Sequence, residues 1–131
     1  PILGICLGMQ LFAKTSSEHK KTEGLALINA DVFRLPMDND YRLPHIGWNT
    51  LTIEKECPLI KGLESGCFMY FVHDYAVECH DLRDVTCTTQ YSKRFPSVIS
   101  QKNIFGVQFH PEKSQKSGSV IMTNFVLSGL V

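Results

Sequence analysis

Gly4-Ile5-Cys6-Leu7-Gly8-Met9-Gln10 decides how this chain folds. The apolar run Pro1 to Ile5 leads into it as a strand of the kind buried in a parallel sheet. Leu7, Gln10, Leu11 and Lys14 leave it at helical spacing until Thr15-Ser16-Ser17 closes the run. The stretch therefore reads as strand, tight turn and helix, with one cysteine at the hinge. Glycine inside an element costs roughly 0.5–1 kcal/mol relative to alanine, so two of them around one residue point to a backbone that something approaches closely. Gly-x-Cys-x-Gly has the form of a nucleophile elbow, a strained turn that exposes one side chain and aims helix amides at it. The positive end of the helix dipole is expected to favour the thiolate of Cys6, its nucleophilic form. Three fixed positions in five recur by chance, so the same residues taken alone also fit a buried structural cysteine.

A cysteine nucleophile needs a base, and the base needs a group to orient it. Asn103 to Phe109 alternates polar and apolar side chains as a strand does, and His110-Pro111-Glu112 ends it, because proline donates nothing to a sheet ladder. His110 could accept the thiol proton and return it to a leaving amine. Glu112 could hold the imidazole in one tautomer and stabilise its charged form. An exposed histidine and a solvated glutamate at a strand end are the plainer reading of these residues.

Between the two motifs, Glu18 to Glu23 reads as a charged loop. Leu25 to Leu35 and Leu51 to Ile53 read as hairpin-like antiparallel strands separated by the polar, proline-flanked Pro36-Met37-Asp38-Asn39-Asp40. Cys67 to Val72 is the most aromatic strand candidate, ending at His73-Asp74-Tyr75, and Val85 to Tyr91 and Val98 to Ser100 suggest two more. Ser117 to Leu130 reads as a carboxy-terminal helix packed on the sheet. His45 and Trp48, in Pro44-His45-Ile46-Gly47-Trp48-Asn49, fit either a core or a binding surface. His73, His80, Cys79 and Cys87 match no zinc spacing.

At 131 residues, 44% hydrophobic and 20% charged, the chain has the composition of one globular domain, residues 1–131. Thirteen basic side chains balance thirteen acidic ones, and the short cationic cluster His19-Lys20-Lys21 is smaller than the runs that bind nucleic acid or anionic lipid. No apolar stretch approaches the roughly 20 residues of a membrane span, so a cytoplasmic location is expected. Five cysteines without a Cys-x-x-Cys pair support neither a disulfide framework nor a zinc ribbon. The chain opens on Pro1, already inside a strand, and reads as part of a longer polypeptide.

Taken together, GICLGMQ at Gly4 to Gln10, PHIGWN at Pro44 to Asn49, YFVHDY at Tyr70 to Tyr75 and GVQFHPEKS at Gly106 to Ser114 resemble the triad (class I) glutamine amidotransferases. Within them the chain looks most like the glutaminase subunits of imidazole glycerol phosphate synthases. The resemblance implies a flavodoxin-like α/β fold with a central mixed sheet and flanking helices. It implies Cys6 as nucleophile, His110 as base and Glu112 as its orienter, with glutamine as substrate. Gly8 and Gln10 match positions around the glutamine pocket, and the backbone at Asp74 and Tyr75 matches the segment that clasps the substrate's amino-acid end. Ammonia would pass to a partner cyclase with a (β/α)₈ barrel for histidine biosynthesis, and Trp48, Asn49 and Lys113 correspond to positions near that interface. No cofactor and no metal is implied.

Two departures set expectations of their own. Asp74 stands where many relatives carry a small hydroxyl residue, and a carboxylate there repels the substrate's own if the two face each other. The strands and glycine-rich oxyanion loop that precede the cysteine strand in relatives are absent from the sequence, which predicts that these residues alone are inactive or poorly folded. Other readings of the same motifs are a paralogue that supplies ammonia for sugar modification, a same-fold cysteine hydrolase of γ-glutamyl or peptide bonds, and a non-catalytic interaction module.

Overall fold

The computed structural model describes residues 1–127. The first strand, β1 (Ile2–Ile5), runs into a single short helix, α1 (Leu7–Leu11). Two-residue strands β2 (Thr15–Ser16) and β3 (Thr22–Glu23) flank the charged loop, and β4 (Ala30–Arg34) follows. Next come β5 (His45–Thr50), β6 (Thr52–Ile53), β7 (Phe68–His73) and β8 (Tyr75–Cys79). The chain then makes β9 (Val85–Gln90), β10 (Arg94–Gln101) and β11 (Ile104–Val107), and α2 (Gln115–Leu127) closes the described residues.

The strands form three sheets. A mixed five-stranded sheet has the order β1-β11-β10-β9-β6, a four-stranded one the order β3-β2-β4-β8, and β5 pairs with β7 alone. In the largest sheet β1 and β11 are parallel, Ile2 opposite Ile104 and Ile5 opposite Val107, while β10 runs antiparallel to both β9 and β11. Successive residues of β10 belong to different cores: Val98 packs with Phe71, Phe95, Phe105 and Phe109, and Ile99 with Met9, Phe12 and Val77. The sheet is thus covered on both faces at its centre, which is why β11 is buried at almost every position despite its alternating sequence.

Several expectations need correction. The strands within Leu25 to Leu35 and Leu51 to Ile53 do not form a hairpin: β4 pairs with β8 and β6 with β9, in different sheets. Val32 and Leu51 enter separate hydrophobic clusters, and that separation pulls their strands apart. Pro44 to Asn49, left open between core and surface, forms most of β5. α1 stops at Leu11, and Thr15 and Ser16 begin a strand rather than ending a helix. β1 keeps its parallel partner but lies at the edge of its sheet, with Ile2 exposed. The carboxy-terminal helix starts at Gln115, and positions 128–130 of the expected helix lie outside the described residues. No helix among the described residues is long and apolar enough to cross a membrane.

Candidate active site

The elbow is built by close packing of α1 on two strands. A Cβ on Gly4 would sit 2.6 Å from the Gly8 carbonyl and 2.7 Å from the Met9 nitrogen, and one on Gly106 would sit 2.7 Å from Met9 Cγ. Glycine at position 4 lets the helix backbone rest directly on β1, and glycine at position 106 makes room on β11 for the Met9 side chain. Gly8 differs, since a Cβ there would meet nothing within 4 Å and points into open space. Cys6, between them, has φ 54° and ψ −108°, a conformation that costs a residue with a Cβ of order 1–3 kcal/mol and persists only where the surroundings impose it. The imposing contact is the Cys6 N–H, which donates to Val107 O at 2.8 Å and continues the β1–β11 ladder into the turn.

Parallel pairing brings the carboxy ends of β1 and β11 to one edge of the sheet. Cys6 ends the first strand, and β11 leads through Gln108 and Phe109 to His110. His110 N–H donates to Tyr70 O at 2.9 Å, which ties the segment to β7. His110 Nδ1 lies 3.2 Å from both carboxylate oxygens of Glu112, so the ring has a carboxylate on one nitrogen. Ser114 locks the turn from behind: its hydroxyl donates to His110 O at 2.6 Å and accepts the Tyr70 N–H at 3.0 Å.

Cys6 itself is half-buried. Its thiol donates to Val72 O at 3.9 Å and accepts from Gln108 Nε2 at 3.7 Å. Burial raises its pKa above the usual thiol value, and the Leu7 amide and Gln108 offset this only in part. The expected thiolate preference is therefore reversed in the resting site: desolvation outweighs the amides at the start of a helix that is only five residues long.

An open cleft of about 350 Å³ lies against the elbow, lined by Cys6, Leu7, Gln10, Glu18, Val72, His73, Asp74 and Tyr75. Gln10 Nε2 donates to Tyr75 O at 2.9 Å and to Gln108 Oε1 at 3.3 Å. Asp74, in the bend between β7 and β8, reaches Arg34 on β4, with its carboxylate 4.0 Å from the guanidinium, so its charge meets a nearby cation. Leu7, Glu18, Val72 and His73 line the cleft without having been singled out as site residues from the sequence, and neither was Gln108, which lies outside the lining but donates to the thiol. Gln108 follows the end of β11 at Val107, and its full burial is a property of the fold that the sequence does not mark. Nothing local marked Glu18 among the other charges of its loop.

The three candidate interface residues divide. Trp48 is 46% exposed and lies edge-on to Tyr70, with ring centroids 5.7 Å apart. Lys113 Nζ stands 6.0 Å from the centre of the same ring. Asn49 points the other way, into the molecule, where its Nδ2 donates to Gln90 O at 2.9 Å and approaches His45. The alternation of β5 separates Trp48 from Asn49, and it buries His45 on the inner face. Ile46, Trp48 and Phe68 form an exposed apolar face on β5 and β7.

Residues 1–128 match the sequence profile of the family described as Glutamine amidotransferase class-I. The chain belongs to this family. Among curated class-I amidotransferases, it is 46% identical over 125 residues to the imidazole glycerol phosphate synthase subunit HisH of Caldanaerobacter subterraneus subsp. tengcongensis, covering 95% of this chain and 61% of the relative. It is 47% identical to the subunit of the same name from Pyrococcus furiosus, covering 95% of this chain and 63% of the relative. The chain thus spans about three fifths of the length of the curated relatives it matches. A glutamine amidotransferase structure from Thermotoga maritima superposes with a TM-score of 0.62 at 18% identity, over 99% of this chain and 58% of that one, and shows the same class-I fold.

Proposed function

We propose that this chain carries the glutaminase chemistry of an imidazole glycerol phosphate synthase. The observation that carries the reading is the strained Cys6 elbow seated beside the strand that leads to His110 and Glu112. It is supported by 46% identity to a HisH subunit across nearly the whole chain. Glutamine enters the cleft with its side-chain amide towards Cys6. The Cys6 thiol passes its proton to Nε2 of His110, the ring nitrogen opposite the one that faces Glu112, and Sγ attacks the amide carbon. Because burial holds the resting thiol neutral, the nucleophile forms by this transfer rather than being stored as thiolate. The Leu7 N–H, the amide following the nucleophile, donates to the developing oxyanion in this reading. Collapse breaks the C–N bond, and the His110 imidazolium protonates the leaving nitrogen, releasing ammonia and leaving a γ-glutamyl thioester on Cys6. Water, deprotonated by His110, then cleaves the thioester to glutamate and restores the thiol.

Gln10 and the backbone around Asp74 and Tyr75 hold the amino-acid end of the substrate, and the Glu18 carboxylate suits its ammonium group. Arg34 draws the Asp74 charge away from the substrate carboxylate, which answers the repulsion expected from that residue. Ammonia passes to a (β/α)₈-barrel cyclase that docks on the exposed apolar face of β5 and β7, with Trp48 and Lys113 as contacts. Tyr70, whose ring lies on that face, also holds the His110 backbone, so docking acts directly on the base. The test is glutamate release from glutamine by the full natural polypeptide, with and without the cyclase. Release stimulated by the cyclase and lost in Cys6→Ser is the expected result, whereas release that survives Cys6→Ser overturns the assigned nucleophile.

A further inference from the structure

Beneath the cleft, two buried histidines and the half-buried Asn49 form a line of polar side chains for which the chemistry above has no use. Asn49 Nδ2 donates to His45 Nε2 at 3.2 Å. Accepting there, His45 carries its proton on Nδ1 and donates it to His73 Nε2 at 2.9 Å. His73 in turn carries its proton on Nδ1 and donates it to Tyr75 O at 2.8 Å. One neutral tautomer of each ring satisfies every contact, and the donors all point the same way. The Tyr75 carbonyl takes its second hydrogen bond from Gln10 Nε2, and Gln10 leads through Gln108 to Cys6 Sγ.

The setting makes the pair costly to keep for packing alone. His45 and His73 are 3% and 6% exposed. His45 is stacked on Phe71 at 4.8 Å and on Tyr91 at 4.1 Å, and His73 meets the edge of Phe95 at 5.0 Å. An apolar side chain would fill this aromatic cage without the desolvation cost of two imidazoles. Burial pushes both rings down to about 4, which keeps them neutral and preserves the donor order at ordinary pH.

We propose that His73, backed by His45, is a positioning residue for glutamine: its Nδ1–H fixes the Tyr75 carbonyl that orients Gln10 in the cleft, and His45 ties that carbonyl to β5, the strand that carries Trp48. The proposal rests on the reading of the cleft as a glutamine site. It predicts that the donor at position 73 matters to substrate binding, while the bond-making groups Cys6, His110 and Glu112 are left alone.

Steady-state kinetics of glutamate release by the full natural polypeptide with its cyclase test this. His73→Phe keeps the ring volume and removes the donor, so KM for glutamine rises about tenfold, the size of one lost hydrogen bond, while kcat stays within about threefold. His73→Asn keeps an N–H donor near the Nδ1 position and sacrifices volume, so its KM stays within about threefold of the parent whatever its melting temperature. His45→Phe raises KM less than His73→Phe, and the double variant is no worse than His73→Phe alone, because the two act in series. If His73→Phe fails to fold, His73→Asn and His45→Phe carry the test. Unchanged KM in His73→Phe, or an equal rise in His73→Asn, overturns the positioning role and leaves the glutaminase reading standing. A parent protein that releases no glutamate while iodoacetamide still alkylates Cys6 overturns the glutaminase reading, and this proposal with it.

Discussion

Gly118→Ala separates catalysis from stability at a position remote from the cleft. Gly118 lies in the first turn of α2, where a Cβ would sit 1.9 Å from Pro111 O, 2.8 Å from its carbonyl carbon and 2.9 Å from Ser114 Cβ. Pro111 stands between the proposed base, His110, and its orienter, Glu112. Restoring an ordinary contact needs a movement of about 1.5 Å, and the atom in the way is backbone, which cannot swing aside as a side chain can. Alanine gains about 1 kcal/mol of helix propensity over glycine, while overpacking costs about 1–3 kcal/mol, so the net loss of stability is about 0–2 kcal/mol. Catalysis is less forgiving: a misplacement of about 1 Å costs roughly 10²-fold, or about 2.7 kcal/mol, in the proposed glutaminase rate. The assay is kcat for glutamate release beside a thermal melt, with alkylation of Cys6 by iodoacetamide as a check that the elbow is intact. A variant that melts close to the parent but turns over about a hundredfold more slowly is the expected result. A kcat within threefold of the parent would refute the reasoning, because it would mean that the His110–Glu112 segment tolerates the shift.

Other consequences follow from the same geometry. Ser114→Ala strips the buried Tyr70 N–H of its acceptor and the His110 carbonyl of a donor, and should lower stability by about 1–3 kcal/mol in urea unfolding. His45 and His73 titrate in the folded protein at about 4, below the ordinary 6.5. The stability that their neutral forms contribute is therefore full above pH 6.5 and is lost as pH falls towards 4, because the unfolded chain binds the protons first. Urea unfolding at a series of pH values should show this fall, and a variant with both rings replaced by phenylalanine should show a shallower one. Trp48→Ala should leave the melting temperature unchanged while weakening binding to the proposed cyclase partner by about thirtyfold in a titration, since an exposed tryptophan on the proposed docking face would carry much of the binding energy. Arg34→Ala leaves the Asp74 carboxylate without its nearby cation and should raise KM for glutamine about threefold, with kcat unaffected. An unchanged KM would show that the Asp74 side chain plays no part in substrate binding.

What the sequence determined by itself was local: the strand-turn-helix at Gly4 to Gln10, a strand before His110-Pro111-Glu112 that the fold ends earlier, at Val107, and the aromatic strand that runs up to His73-Asp74-Tyr75. Each is written in short-range terms, because glycine, proline and apolar periodicity act on neighbouring backbone and leave a mark wherever they occur. Family membership was legible for the same reason, through four such stretches in order. The tertiary structure alone decided which strands became neighbours. Nothing in Leu25 to Leu35 marks β8 rather than a nearby strand as the partner of β4, since that pairing is settled by which cluster Val32 and Val77 can bury themselves in. Only the fold turned Asn49 inward and Trp48 outward, lined up His45 with His73, and set Gln108 beneath Cys6 across 102 residues of chain. It also reversed the charge expected on Cys6, because desolvation depends on everything packed around the sulfur, whereas the helix amide that opposes it depends on one turn of chain.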